Sequence, residues 1–213
     1  MKQNVVRKIS YCGKFLILSA IFDFLSFLDS ISTGEILYIP VSSEYIPWIL
    51  LTITIYALFL GVLLIYVARK LIEIFPNTKF ALAIKFYEIS LSIFFILVVL
   101  LMIPHMHELV IYYSIVSLAL FILLSFSFFL LAKEFLVIGR KKNMTSLVAG
   151  SIILIICTVS LLVLSILYLT FIILNVYSYQ MLQHIFLLIL LLSALTSFSY
   201  GQGFTELADK LHD

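Results

Sequence analysis

Two stretches hold the side chains best suited to chemistry: "MIPHMHELV", from Met102 to Val110, and "YSYQMLQHIF", from Tyr177 to Phe186. Each contains Met-x-x-His, Met102 with His105 in the first and Met181 with His184 in the second. Met106 and His107 add a further thioether and imidazole beside the first pair. Sulfur and imidazole together suit copper, Cu(I) above all, better than a hard cation. Met181 and His184 stand three residues apart and would project from one face of a helix. The competing reading is structural: wet polar ends of apolar helices, with methionine as a flexible filler. No spacing here matches an established metal signature of the Cys-x2-Cys kind. Bis-histidine haem ligation has less support, because His184 alone comes near a membrane interior.

Asp23 is the second candidate. It interrupts the apolar run "FLILSAIFDFLSFL". A carboxylate inside a bilayer costs about 2.5–3.5 kcal/mol on insertion scales, so it should face a bundle interior or water. There it would start an ion pathway, binding a proton or cation, or serve as a hydrogen-bonded carboxyl near the outer interface. Lys85 and Glu88, at i and i+3, should pair across one helical turn. Ser193, Ser197 and Gly201 recur every four residues, the spacing that lets two helices approach closely in lipid. "YGQGF", Tyr200 to Phe204, should end that last helix at the inner surface, its two glycines acting as a stop.

The elements that must position these residues are read from composition. The chain has 213 residues, 64% of them hydrophobic and 11% charged. Soluble domains run at about 45–50% apolar and about 25% charged, and a chain of this size buries too little area to hide the excess. The lipid bilayer is therefore the expected solvent. A net charge of +2 without a basic tail argues against nucleic acid as a partner. Cys12 and Cys157 are the only cysteines and lie far apart in apolar segments, so there is no disulfide framework. The basic start followed by an apolar run resembles a signal peptide. Asp23 and the lack of a small-x-small cleavage site make it a retained first helix instead.

A spanning helix needs about 20 mostly apolar residues. Six segments qualify: Tyr11–Leu28, Ile46–Val67, Phe80–Ile103, Val110–Leu131, Ser146–Leu174 and Met181–Tyr200. Unbroken apolar runs with no period-two alternation argue against a β-barrel. All 13 lysines and arginines fall at the start, in or beside alternate connections, or in the tail. The other three connections hold Asp29, Glu35, Glu44 and Glu108 and no base. Basic flanks stay cytoplasmic, so both termini should be inside. Tyr11, Tyr66, Tyr87 and Tyr200 should then mark the inner interface, where amphipathic rings settle. That topology gathers Met102, His105, Met106, His107, Met181 and His184 on the outer face. Asn77 or Thr78 should cap the third span after Pro76. Asn143-Met-Thr matches a glycosylation acceptor, on the inner side where it would go unused.

"KISYCGKF" and "KFALAIKF" share Lys-x5-Lys-Phe, and "VARKLIEI" and "LAKEFLVI" end inward-going helices alike. These likenesses suggest three tandem helical hairpins, or simply the shared habits of inner boundaries. The expectation is one all-α, polytopic domain over residues 1–213, with six transmembrane helices. Hydrolase elbows, phosphate loops and dinucleotide loops are absent, so no enzyme is expected. The spans carry few polar residues, which disfavours a water-filled route. The preferred function is a non-catalytic membrane subunit or scaffold, partnered with other membrane proteins or with copies of itself. The alternative is a small transporter, channel or copper-handling protein that uses the outer Met/His cluster and Asp23.

Overall fold

The structure is a computed structural model that describes residues 2–33, 46–76, 78–101, 110–174 and 179–212. Six helices carry the described chain: α1 (Lys2–Thr33), α2 (Ile46–Ile72), α3 (Phe80–Leu101), α4 (Val110–Lys141), α5 (Thr145–Leu174) and α6 (Tyr179–His212). Three stretches, Gln3–Asp29, Phe80–Val99 and Leu118–Lys141, are long and apolar enough to cross a membrane. The segment holding Met102, His105, Met106 and His107 lies outside the described residues, as does Asn77.

Several helices outrun the apolar segments that announce them. α1 starts nine residues before Tyr11, and α4 continues ten residues past Leu131. Hydropathy marks where a helix meets hydrocarbon, but the backbone ladder continues into the charged residues beyond, which are themselves good helix formers. α6 departs most. It runs unbroken through Tyr200-Gly201-Gln202-Gly203 to His212, so "YGQGF" is no stop. Its glycines serve packing instead, as described below.

The α4–α5 turn shows how the ends are made. Asn143 takes φ 52°, the left-handed region. Met144 N–H donates to the Gly139 carbonyl (2.8 Å) and Asn143 N–H to that of Arg140 (3.3 Å). This is a Schellman C-cap with Asn in the position usually given to Gly. Lys210 of α6 closes it from outside, its Nζ donating to the carbonyls of Lys142 (2.9 Å) and Asn143 (3.0 Å). Before α3, the Thr78 hydroxyl donates back to the Phe75 carbonyl (2.9 Å), so it secures the preceding turn rather than the helix that follows.

Neighbouring helices run antiparallel. Ser127 of α4 donates to the Ala83 carbonyl of α3 (2.9 Å), and Phe86 meets Phe126 edge-on at 4.9 Å. Among the described residues α1 lies mainly on α6 and touches α2 less, with Phe15 against Phe59 at 6.0 Å, so the first two helices do not form a hairpin as close as α3 with α4 or α5 with α6. The start of α1, the ends of α2, α4 and α6, and the starts of α3 and α5 share one end of the bundle. The described lysines and arginines lie toward that end.

The core is densest there. Phe80 of α3, Phe135 of α4, and Tyr200 and Phe204 of α6 are fully buried, with ring centroids 5.0–5.5 Å apart. Tilted and edge-on aromatic pairs of this kind add to ordinary apolar burial. Two of the four tyrosines expected at the inner interface are therefore inside the bundle. Tyr200 is one. Tyr87 is the other, its ring lying over Gly61 and its hydroxyl donating to the Leu58 carbonyl at 2.6 Å. Tyr11 and Tyr66 are exposed. A phenol can be buried when its hydroxyl finds an acceptor. Tyr87 has a main-chain carbonyl, and Tyr200 donates to Ser151 Oγ at 3.4 Å.

Candidate functional site

The best-defined constellation lies along the seam between α1 and α6. On α1 the buried positions include Val6, Ile9, Gly13, Leu16, Ala20 and Asp23. They follow one another at steps of three and four, which draws a narrow stripe on a straight helix. A small residue in the middle of that stripe lets α6 come close. A Cβ added to Gly13 would lie 2.7 Å from the Gly201 carbonyl oxygen. One added to Gly201 would lie 2.7 Å from the Gly13 oxygen and 2.9 Å from the Ile17 nitrogen. The crossing is thus backbone on backbone, and only glycine fits on either side. Ser197, one turn earlier on α6, is buried. Thr205, one turn later, folds its hydroxyl back onto the carbonyls of Gly201 (3.1 Å) and Gln202 (2.7 Å).

The other side of α6 is fitted just as closely to α5. A Cβ on Gly203 would lie 2.9 Å from both the nitrogen and the Cα of Leu147, and one on Gly150 would lie 3.2 Å from the Tyr200 nitrogen. α6 is therefore held between two neighbours by glycines on opposite sides, and the helix continues through "YGQGF" in their grip. Cys157 of α5 and Thr196 of α6 meet at 3.5 Å (Sγ to Oγ1) at the same interface.

Asp23 follows Ala20 on the α1 stripe, one turn further along the helix, and is only 1% exposed. It accepts a hydrogen bond from Ser193 Oγ at 3.2 Å. Among the described residues it is the one charged side chain that is buried. The packing stripe and the ion-pathway candidate thus belong to one seam. The stripe of Ser193, Ser197 and Gly201 runs along α6 where that helix meets the one carrying Asp23.

Glu88 does not pair with Lys85. It is bound by the Arg69 guanidinium of α2. A planar fork reaching from the next helix holds a carboxylate better than a lysine one turn away. Met181 and His184 lie in the first turns of α6, at the end opposite the chain termini, but their side chains are outside the described residues. Among the described residues no three of His, Cys, Asp and Glu come together.

No family model, curated protein or solved structure matches the chain. The seam and the bundle are what bear on function. Sequence reasoning missed Gly13, the counterpart of Gly201. Its signal was present, since it is the one glycine within α1 and lies in a stretch otherwise rich in large side chains.

Proposed function

We propose that this chain is a six-span membrane protein with both termini cytoplasmic, acting as a non-catalytic subunit or scaffold of a larger membrane complex. The observation that carries the reading is how the buried hydroxyls are used. Five of the seven buried serines and threonines among the described residues, Ser90, Ser127, Ser151, Thr158 and Thr196, donate to a main-chain carbonyl, at 2.7–2.9 Å. Spent in this way, they line no route for water or ions, and around them the described interior is chiefly Leu, Ile, Phe and Val. The outward surface is apolar too. Phe22, Phe95 and Val99 are each more than 60% exposed, which suits lipid or a neighbouring membrane protein. The orientation rests on the gathering of basic residues at one end.

Purification in a mild detergent tests it. The chain should come down with the same partner, or with further copies of itself, in fixed stoichiometry. A monodisperse single chain with nothing attached would remove the subunit reading.

Asp23 favours a second reading, in which the seam handles an ion. A carboxylate this well enclosed, with a hydroxyl donor 3.2 Å away, is a place where a proton or cation can be held. Under that reading Asp23→Asn abolishes proton or cation flux in reconstituted vesicles. Undiminished flux rejects it.

A further inference from the structure

On α1, Gln3, Arg7, Ser10 and Lys14 follow one another at steps of four, three and four, which places them in one line along the helix. They border a groove of about 440 Å³ between the start of α1 and the end of α6, closed on the far side by Asp209. Two positive charges against one negative leave the groove cationic. Arg7 is held in place within it: Nε donates to the Tyr11 hydroxyl (2.9 Å), and the guanidinium carbon lies 5.4 Å from the Tyr11 ring centroid. That bond occupies one N–H, and the terminal amino groups of the fork are the part that grips a phosphate.

The same line continues up the helix as Leu18, Ile21 and Leu25, each at least 50% exposed. A single helix face thus changes from hydrogen-bond donors to bare hydrocarbon at Lys14. This is the order of parts in an amphiphile, with an anionic head and then an acyl chain. We propose that the α1–α6 groove binds one anionic phospholipid, its phosphate on Arg7 and Lys14 beside Ser10, its acyl chain along Leu18, Ile21 and Leu25. The proposal rests on the membrane reading and adds a defined lipid to it. Charge complementarity selects an anionic lipid over a zwitterionic one, and the apolar continuation selects a lipid over free phosphate.

The full chain is reconstituted into phosphatidylcholine nanodiscs containing phosphatidylglycerol, released into mild detergent and weighed by native mass spectrometry. Wild type should retain one phosphatidylglycerol. Arg7→Gln/Lys14→Gln should retain at least about tenfold less, the scale of losing one charge-assisted contact. Lys8→Gln, on α1 but outside the groove, should retain it as wild type does. Equal retention by the double variant overturns the site. Displacement of phosphatidylglycerol by inorganic phosphate at equal concentration overturns the lipid in favour of a soluble anion. A second measurement avoids dependence on how the double variant folds: with Trp48, the chain's one tryptophan, replaced by phenylalanine, Leu18→Trp should be quenched more strongly by phosphatidylglycerol with brominated acyl chains than by the matching phosphatidylcholine. Equal quenching counts against the proposal. Failure of the membrane reading looks different, because the chain would then leave cell membranes in an alkaline wash without detergent.

Discussion

Gly201 shows how much one missing methyl group decides. In the middle of an exposed helix, alanine would be preferred to glycine by about 1 kcal/mol. Here the added Cβ meets the Gly13 oxygen and the Ile17 nitrogen, both main-chain atoms that cannot rotate away. Overpacking of this kind costs about 1–3 kcal/mol, so sterics should outweigh propensity. Gly201→Ala is therefore expected to be less stable than wild type by about 1–2 kcal/mol in detergent unfolding, and Gly201→Leu more so. A Gly201→Ala protein more stable than wild type would mean that α1 does not cross α6 at this point. The four-residue spacing of Ser193, Ser197 and Gly201 is visible in the sequence, and so is the acid within an apolar run. Their meeting on one seam is not, because Asp23 and Ser193 are separated by most of the chain. The partner of Glu88 is hidden for the same reason. Local spacing offers Lys85, while Arg69 approaches only once α2 has packed.

At the scale of the element, helix existence was legible and helix ends were not. Apolar runs of spanning length announce themselves, but the stop signals mislead in both directions. Gly201 and Gly203 look like a terminus and are continuous helix, while Asn143, which looks like a glycosylation acceptor, is the true C-cap of α4. The turn can be tested. Asn143→Gly keeps the left-handed geometry without a Cβ penalty and should leave stability unchanged or slightly raised. Asn143→Val places a β-branched residue at positive φ and should cost about 1–2 kcal/mol. Thermal unfolding of the two variants side by side separates these outcomes. Equal stability of the Gly and Val proteins would mean that the turn does not adopt φ 52°.

For the whole molecule, the proposed six-span arrangement rests on where charge cannot go. Cations resist passage through hydrocarbon, so their confinement to the start, alternate connections and tail makes a membrane-embedded polypeptide weave. The bundle has a matching polarity of its own, since antiparallel contacts such as Gly13 with Gly201 and Ser127 with Ala83 bring those same chain positions to one end. What the charges could not reveal is which helices touch. The basic helix ends look alike, and nothing in the hydropathy says that α1 packs mainly on α6. The weave itself is open to measurement. With Cys12 and Cys157 replaced by serine, Arg140→Cys or Gln202→Cys should react with an impermeant maleimide only after the membrane is opened. Glu108→Cys should react in intact cells. Labelling of Arg140→Cys and Glu108→Cys from the same side would break the alternation. Both termini would then no longer share the cytoplasm, and the groove between α1 and α6 would face the wrong leaflet for its charge.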